Sequence, residues 1–476
     1  MKLWTLHGNG ALAGPNDVVA PSERLSWPRT VGLGMQHVVA MFGATFVFPV
    51  LMGLSPQLAI MMSGVATLIF LVMTGGRIPS YLGSSASFVG VVGVISTLGG
   101  TASDKTGALL TVGLALIAVG IAIHVLGAEF MHRLMPPAVT GAVIMLIGFN
   151  LAPVAAGVYW PRDPWVALVV MLFVIVVSVG ARGFLSRIAI FAAVVFGYLA
   201  SWAADAVFGQ ITTPDASGEV RPHWRVDWSA VGDANWFGFP AATTADMPGW
   251  HFPTFHLGFA LIVLPIAIAL VAENIGHVKA VAEMTGEDLD PLMGRAVGAD
   301  GVATVVATAV GGAPTTTYAE NIGVMAATRV YSTAAYVVAA LTAIGFGFSP
   351  KFGAVVSAIP GGVLGGITIV LYGMIGLLGA KIWVEHNVLF GHPATLVPLA
   401  AGIIMGVGDV TLQITEGFTL SGISLGTITV IVGYHLAHAL SSRTQEPDSP
   451  EPDFSGTDLS APDPRSERGW GGEATR

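Results

Sequence analysis

The stretch Gly311-Gly-Ala-Pro-Thr-Thr-Thr-Tyr-Ala-Glu-Asn-Ile-Gly-Val-Met-Ala-Ala-Thr-Arg329 decides how the rest of the chain is interpreted. It places Pro314, three consecutive threonines and the carboxylate of Glu320 inside a strongly apolar sequence. An ionisable side chain at the centre of a membrane span costs at least ~2.5 kcal/mol, so it usually faces a cavity, a partner or a substrate. The apolar run from Thr315 is also too short for a full span, and broken helices at membrane depth line protein-enclosed cavities. We therefore expect a half helix at a binding site.

The composition indicates a polytopic membrane protein. Of the 476 residues, 53% are hydrophobic and only 10% are charged, whereas roughly 25% are charged in soluble proteins. Apolar runs of nearly membrane-spanning length recur along the chain. The absence of cysteine excludes disulfides, Cys-ligated zinc and thiol catalysis. The first residues lack a basic-then-apolar signal pattern, so we expect no cleaved signal peptide.

Glycine, proline and charge divide the apolar sequence into about fourteen helical segments, seven on each side of a polar loop at 210–254. A repeat with an odd number of spans must insert its second copy upside down. Two pairs of similar short motifs support an inverted repeat, although chance similarity among Gly-rich spans could also produce them. Pro136-Pro-Ala-Val-Thr-Gly141 resembles Pro360-Gly-Gly-Val-Leu-Gly365, and Arg77-Ile-Pro-Ser-Tyr-Leu-Gly-Ser-Ser85 resembles the stretch around Pro314. The repeat predicts that the third and tenth segments are half helices whose positive N-terminal ends converge.

The distribution of Lys and Arg predicts the orientation. With the N-terminus inside, the inner loops and the N-terminal arm carry about twice as many basic residues as the outer loops. We therefore expect an extracellular 210–254 loop and cytoplasmic termini. Residues 1–29 form the predicted N-terminal arm, residues 30–441 the transporter domain, and residues 442–476, rich in Pro, Ser, Gly and acid, a disordered tail.

The candidates for chemistry in the predicted membrane segments are the titratable side chains of Glu273, His277 and Glu320. Glu273 and His277 are four residues apart, so they share one helix face. Desolvated groups of these types can change protonation near neutral pH, as proton coupling requires. Alternatively, His277 precedes Lys279 and could cap a solvated helix end, and Glu273 could form a purely structural hydrogen bond or ion pair.

A metal site or a hydrolase fits the sequence less well than a carrier. Glu273 and His277 could share a metal-ligand face, but the second His of the HExxH pattern is missing. The chain also has neither a phosphate-binding Gly loop nor a Ser-His-Asp order. We expect a transporter that is not an enzyme, with no metal and no cofactor other than the proton.

Several motifs resemble those of the nucleobase-ascorbate transporters, the NCS2 family. Glu320-Asn-Ile-Gly-Val-Met-Ala-Ala-Thr-Arg329 is similar to the family signature, in which Asn321, Gly323 and Thr328 follow an acid, Gln or Pro. Gln36-His-Val-Val-Ala-Met-Phe-Gly-Ala-Thr45, Tyr81-Leu-Gly-Ser-Ser85 and Ala272-Glu-Asn-Ile-Gly-His277 resemble the uracil permease branch. Within it, Arg133-Leu-Met-Pro-Pro-Ala-Val-Thr-Gly-Ala142 and Ala280-Val-Ala-Glu-Met-Thr-Gly286 are most similar to permeases associated with pyrimidine-ring catabolism.

The resemblance implies an architecture and a site. The fold would be an all-α inverted repeat of fourteen spans, with a core (about 30–127 and 255–348) that moves against a gate (about 136–209 and 355–441). The third and tenth spans would be discontinuous half helices with short extended stretches, and gate domains would hold a homodimer in the plasma membrane. Glu273 and Glu320 would bind the base, with His277 joining Glu273 in proton coupling. The residues implied to complete the pocket are Ala44, Tyr318 and, through their backbones, Ala86 and Ala319.

The implied activity is proton-coupled import of a pyrimidine base, uracil and, as a second candidate, thymine. No nucleic acid partner is implied. Ala86 stands where a typical uracil permease has Phe, and Ala319 stands where it has Gly, so the pocket outline differs. A purine or xanthine permease of the same family therefore stays open as an alternative. A more distant alternative is an anion transporter on the same fold, although two pocket carboxylates would repel an anion unless they are protonated.

Overall fold

The computed structural model describes residues 4–12, 17–85, 87–127, 129–182, 185, 189–215, 219–240, 248–415, 418–420 and 422–444. Before the 210–254 loop, the helices are α1 (Trp27–Met52), α2 (Pro56–Met73), α3 (Ser87–Thr97), α4 (Ala102–Leu126), α5 (Glu129–Leu134), α6 (Pro137–Asn150), α7 (Ala152–Val154), α8 (Pro164–Gly180) and α9 (Ala189–Phe208). A π-helical turn at Ala155–Tyr159 and a 3₁₀ turn at Trp160–Arg162 lead from α7 into α8.

The rest of the described chain is also mostly helical. Its helices are α10 (Ser229–Asp233), α11 (Leu257–Val263), α12 (Ile266–Thr285), α13 (Met293–Ala309), α14 (Ala319–Thr328), α15 (Thr333–Gly347), α16 (Pro350–Ser357), α17 (Gly361–Glu385), α18 (Pro393–Val407) and α19 (Gly422–Thr444). A 3₁₀ turn at Asp290–Leu292 precedes α13. Because α19 ends at Thr444, it extends three residues past the predicted start of the tail, and the prediction of disorder for 445–476 lies outside the described residues.

Eight strands form four two-stranded sheets in the described part of the chain. The strands are β1 (Thr5–Leu6), β2 (Glu23–Arg24), β3 (Leu82–Ser84), β4 (Ile211–Pro214), β5 (Val220–His223), β6 (Thr315–Thr317), β7 (Leu412–Thr415) and β8 (Phe418–Leu420). The pairs are β1 with β2, β3 with β6, β4 with β5, and β7 with β8. Among these four strand pairs, only β3–β6 joins the two halves of the sequence, so it connects the two predicted repeats by backbone pairing.

Eight helical stretches among the described residues are long and apolar enough to cross a membrane. The number is nine if α15 and α16, which meet at a bend of 86°, form one span. Further apolar helices of 10–17 residues are α3, α8 and α18. The chain is therefore a multi-pass membrane protein, whereas the count of fourteen spans stays a prediction.

The long helices pack in two groups. In one, α4 lies against α13, and α15 lies against α1 and α2. In the other, α17 lies against α6 and α8, and α18 against α19 and α6. These groups fall in the sequence ranges predicted for core and gate, but that the two move as separate bodies stays a prediction.

Glycine allows helix backbones within each group to touch. A Cβ atom on Gly120 of α4 would lie 2.5 Å from the amide nitrogen of Gly298 on α13. A Cβ atom on Gly141 of α6 would lie 2.7 Å from the carbonyl oxygen of Gly379 on α17. Both distances are well inside the ~3.5 Å separation of atoms in favourable contact. A larger residue at these positions would force the helices apart.

The N-terminal arm pairs through its backbone with the segment that follows α14. Val19 pairs with Val330 in a parallel bridge, in which the Val19 amide donates to the Arg329 carbonyl oxygen at 3.0 Å and the Tyr331 amide donates to the Val19 carbonyl oxygen at 2.8 Å. Val19 and Val330 are buried together with Leu25. The predicted arm is thus attached to the chain that carries Glu320.

The 210–254 loop is also held in place by long-range contacts. Arg225, just after the β4–β5 hairpin, forms ion pairs with Asp163 (Nε to Oδ2, 2.7 Å) and Asp205 (Nη1 to Oδ1, 3.0 Å). The Thr254 amide, at the other end of the loop, donates to the carbonyl oxygen of Ser103 at 2.9 Å. The loop therefore connects the helix group of α8 and α9 with that of α4.

Candidate functional site

Two short, paired strands lie at the centre of the site. β3 and β6 pair antiparallel, with Leu82 opposite Thr317 and Ser84 opposite Thr315, and all six of their residues are buried. Consecutive β-branched threonines favour the extended conformation of β6. Each strand leads toward a short helix, α3 of 11 residues and α14 of 10 residues. The unpaired amides and positive dipole ends of both helices consequently begin near the strand pair.

Threonine hydroxyls fasten both strands to the preceding helices in the same way. Thr67 of α2 accepts a 2.9 Å hydrogen bond from the Leu82 amide, at the first position of β3. Thr304 of α13 accepts a 3.2 Å bond from the Thr315 amide, at the first position of β6, and donates to the Thr315 carbonyl oxygen at 2.8 Å. The matching positions agree with the predicted equivalence of the third and tenth segments.

The side chain of His277 connects α12 to the strand pair. Its Nδ1 atom lies 2.7 Å from Oγ1 of Thr317, the last residue of β6. Glu273, one turn earlier on α12, lies within electrostatic range of Glu320 in the first turn of α14. The structure thus brings together the three titratable residues that the sequence singled out, whose roles in binding and proton coupling stay predictions.

A fourth titratable group, Asp300 of α13, was not identified from the sequence. Its side chain is buried, with 1% of the residue exposed, and accepts 3.3 Å hydrogen bonds at Oδ2 from Asn274 Nδ2 and Thr316 Oγ1. Among the described residues, Oδ1 of Asp300 has no hydrogen-bond partner. Asp300 also acts electrostatically on Glu273. The sequence does carry a signal for Asp300, and it is the same one that indicated Glu320: an ionisable residue in an apolar segment.

Tyr318 occupies a fixed position between the strands and α1. Its hydroxyl donates to the carbonyl oxygen of Ser84 at 2.7 Å and accepts from Thr45 Oγ1 at 3.1 Å. A Cβ atom at Gly83 would lie 2.7 Å from the Tyr318 ring, so only glycine leaves room for the ring. The tyrosine therefore fixes how β3 and β6 meet.

The other residues implied to line the pocket have different surroundings. Ala44 is buried in α1, and Ala319 is exposed at the first position of α14. Ala86, between β3 and α3, lies outside the described residues. Their contacts with a base stay predictions.

Within the signature, Asn321 has a structural partner that its sequence position does not reveal. Its Nδ2 atom donates to the carbonyl oxygen of His37 at 3.0 Å and lies 3.2 Å from His37 Nδ1. Tyr336 donates from its hydroxyl to the Asn321 carbonyl oxygen at 3.3 Å. Thr328 bonds within its own helix, to the Val324 carbonyl oxygen at 3.0 Å. Asn321 therefore fastens α14 to α1 and α15.

Among the described residues, no group of three or more His, Cys, Asp or Glu side chains is arranged to hold a metal ion. The geometry instead combines the buried carboxylate of Asp300 and the partly buried carboxylates of Glu273 and Glu320 with hydroxyl and backbone donors. Such a set can bind a small polar molecule through several hydrogen bonds and can exchange protons.

A cavity of about 600 Å³, which we call the loop-side cavity, lies between the 210–254 loop and the two helix groups. Its lining includes Lys105, Arg162, Ser201, Trp224 and Gly361, but neither Glu273 nor Glu320. The cavity is therefore separate from the carboxylate site.

The fold and the site together define a multi-pass membrane transporter. Solved structures with the same fold include the transmembrane domain of a cyanobacterium bicarbonate transporter, BicA (TM-score 0.55, 13% identity, covering 86% of this chain and 96% of that one). Another is the murine anion transporter Slc26a9 in its inward-facing state (TM-score 0.62, 12% identity, covering 90% and 70%). The predicted fold class of a polytopic helical transporter is confirmed.

Sequence relatives identify the family. Residues 28–415 match the model of the Xan_ur_permease permease family. The putative pyrimidine permease RutG of Escherichia coli K12 is 43% identical over 447 residues, covering 92% of this chain and 95% of the relative. The uracil permease of Bacillus caldolyticus is 36% identical over 430 residues, covering 87% and 93%. The chain belongs to this permease family, as its motifs predicted, and is a transporter rather than an enzyme.

Proposed function

We propose that the chain is a proton-coupled symporter that imports a pyrimidine nucleobase, uracil and, as a second candidate, thymine. The observation that carries the proposal is that titratable side chains from two helices meet at the end of β6. His277, one turn after Glu273 on α12, lies 2.7 Å from Thr317, and Glu320 follows in the first turn of α14. The names of the relatives, pyrimidine permease and uracil permease, point to the same substrate class.

The chemistry of a pyrimidine base matches the groups at this position. Uracil presents two N–H donors and two carbonyl acceptors in one plane. Carboxylates accept from the N–H groups, and the unpaired amides at the start of α14 suit the carbonyl oxygens. A buried polar site rejects an analogue that leaves one of its groups unpaired, with discrimination that can reach about 10⁴-fold. The proposed selectivity is therefore for the pattern of ring donors and acceptors.

Proton coupling is proposed to use the same cluster. Glu273 lies within electrostatic range of Asp300 and of Glu320, and His277 joins the cluster through Thr317. In such a cluster, a proton taken up by one carboxylate changes the charge that the others face, so protons and substrate are linked. A protonated cluster would bind the neutral base more readily than one with several negative charges.

The proposed setting is the plasma membrane, with both termini in the cytoplasm and the 210–254 loop outside. The core, carrying the site, would move against the gate to expose the base alternately on each side. Gate domains would form a homodimer in the lipid bilayer. These assignments follow from the basic residues of the loops and from the family resemblance.

The decisive experiment measures uptake of radiolabelled uracil into proteoliposomes, with and without an inward proton gradient. Wild type is compared with Glu320→Gln and Glu273→Gln, and Glu283→Gln, at an exposed position of the same helix, is the matched control. We expect saturable, gradient-driven uptake that falls at least a hundredfold in both site variants and is unchanged in the control.

Competition by thymine, xanthine and bicarbonate defines the substrate class. Inhibition by xanthine with no effect of uracil would replace the proposal with a purine permease. The shared fold with BicA makes bicarbonate the anion to test. If the folded wild-type protein moves bicarbonate and no base, the nucleobase proposal is wrong.

A further inference from the structure

The loop-side cavity has the size and enclosure of a ligand site. Its volume of about 600 Å³ lies within the range of roughly 300–1,000 Å³ typical of small-molecule pockets. The half-exposed indole of Trp224 and the buried ring of Tyr159 lie in its wall. A planar ring has room and aromatic surface here.

The wall formed by the loop is rigid because buried ion pairs hold it. The side chains of Asp163, Asp205 and Arg225 are 5%, 9% and 12% exposed, and Arg225 also donates to the Gly209 carbonyl oxygen at 3.0 Å. Trp224 precedes Arg225 directly, so the ion pairs also position the indole. The cavity is therefore a formed feature of the fold.

Hydrogen-bond donors dominate the lining. The guanidinium of Arg162 lies over the Tyr159 ring at 5.1 Å and has no ion-pair partner within 4.0 Å among the described residues. The ammonium of Lys105, which donates to the Met52 carbonyl oxygen at 3.2 Å, lies in the same wall. α17 begins at the cavity with no side-chain cap, and its first residues, Gly361 and Gly362, lie in the wall with amides that have no acceptor within the helix.

A buried hydroxyl supports this reading independently. Ser201 of α9 is fully buried and lines the cavity, and its Oγ atom has no hydrogen-bond partner among the described residues. A buried hydroxyl without a partner costs about 1–3 kcal/mol, and a change of rotamer would let this one donate to a ligand in the cavity. Ser357 Oγ, in the same wall, is also unpartnered within the described residues.

Two of the three acidic residues of the lining pair with arginines, and the third, the exposed Asp227, accepts from the Ser229 amide at Oδ1 at 2.9 Å. Asp163 accepts from Arg225 and, at Oδ1, from the Val166 amide at 3.1 Å. Asp215 forms an ion pair with Arg221. The groups left to meet a ligand are thus mainly donors, which suit the oxygen acceptors of a small oxo compound.

We propose that the loop-side cavity is a second, outer binding site that holds the ring carbonyl oxygens of the transported base before it reaches the carboxylate site. This inference rests on the proposed function, which supplies both the base and the outward orientation of the loop. Simple oxyanions present the same acceptor chemistry, so the test must separate the two sources.

The test removes the carboxylate site and observes the outer one. In a Glu320→Gln background, the difference in fluorescence between protein with and without Trp224→Phe isolates the signal of Trp224. We expect uracil to quench this signal saturably and sulfate or acetate not to do so. Adding Arg162→Gln should weaken the affinity for uracil, measured by this quenching, at least tenfold, and adding Ser201→Ala should weaken it a few-fold. Arg133→Gln, which replaces an exposed arginine outside the cavity, should leave this affinity unchanged.

The possible outcomes separate the two proposals. Absence of a Trp224-dependent signal, or quenching by sulfate or acetate only, would overturn the outer site. If wild type still imports uracil, the proposed function survives that result. If wild type imports no base, the proposed function fails on its own measurement. In an otherwise intact transporter, Arg162→Gln should raise the KM for uracil several-fold and preserve the maximal rate.

Discussion

The hydroxyl of Tyr318 donates a 2.7 Å hydrogen bond to the carbonyl oxygen of Ser84, two residues before Ala86. The bond crosses from the residue that precedes α14 to the strand that leads to α3, so it fixes the geometry of the candidate site. Tyr318→Phe would leave this buried carbonyl without its donor, at a cost of about 1–3 kcal/mol.

We expect Tyr318→Phe to lower the free energy of unfolding by that amount and to reduce uracil affinity. Chemical denaturation in detergent and equilibrium binding measure the two effects. Tyr331→Phe is the matched control, because no described residue forms a hydrogen bond with the Tyr331 hydroxyl. Equal stability of Tyr318→Phe and wild type would contradict the structural role.

The contact between His277 and Thr317 predicts a change in the pH profile of transport. Thr317→Val keeps the shape of the side chain but removes the 2.7 Å partner of His277 Nδ1. A hydrogen bond of about 1 kcal/mol corresponds to roughly a fivefold change in rate. We therefore expect about fivefold slower uptake and a displaced pH optimum. Thr342→Val, whose hydroxyl donates only within its own helix, should change neither.

Asp300 should be required for coupling more than for folding. Asp300→Asn keeps an oxygen that can accept from Asn274 and Thr316 but cannot take up a proton. We expect stability to remain within about 1 kcal/mol of wild type, while proton-driven accumulation of uracil is lost and exchange of uracil persists. Counterflow and gradient-driven uptake distinguish these activities, and Asp290→Asn, at an exposed position, is the control. Full accumulation in Asp300→Asn would remove the residue from the coupling cluster.

The ion pairs of Arg225 predict a strong dependence of loop structure on this residue. Burial alone lowers the pKa of Arg225, but hydrogen bonds with Asp163 and Asp205 raise it overall. Arg225→Gln would leave two buried carboxylates without their cation, which costs about 3–5 kcal/mol. We expect a lower melting temperature and faster proteolysis within the loop. Arg133→Gln, in an i,i+4 pair with Glu129 whose two side chains are both exposed, should cost at most about 1 kcal/mol.

The N-terminal arm should loosen as pH rises. Hydrogen bonds with Asp17 and Glu23 raise the pKa of His7 above its ordinary value of 6.5. The charged imidazole therefore stabilises the attached arm fully below pH 6.5, and this contribution is lost as pH increases through the raised pKa. Tryptic cleavage after Arg24, normalised to a peptide substrate at each pH, should accelerate with pH in wild type. In His7→Gln the normalised rate should not vary; a wild-type rate that falls with pH would contradict the sign.

Local sequence patterns were sufficient to predict the apolar spans and the short helix that carries Glu320, because these depend on a proline and on the length of an apolar run. The extended conformation of the threonine run was implied only by the family resemblance. The shared helix face of Glu273 and His277 is local in the same sense. The family and fold class followed because the motifs occur in several of these local segments at once.

Contacts between distant parts of the chain were not predictable in this way. Nothing near Trp4 indicates that its indole donates to Thr333, and nothing near Arg225 indicates that Asp163 is its partner. Asp300 is a different case, because it lies in an apolar segment but among alanines and glycines, with no neighbouring motif to draw attention to it. Its hydrogen-bond donors come from α12 and β6, which are distant in sequence.

The glycine contacts between α4 and α13, and between α6 and α17, have a consequence for how this transporter can diversify. Because Gly120, Gly141 and Gly379 leave no space for even a methyl group, nearly every substitution at these three positions should be eliminated as a folding defect. In a library of random variants selected for growth on a new base, surviving changes should therefore avoid these helix crossings. They should accumulate where side chains border the two sites, so adaptation to a new substrate would proceed through a small and predictable set of positions.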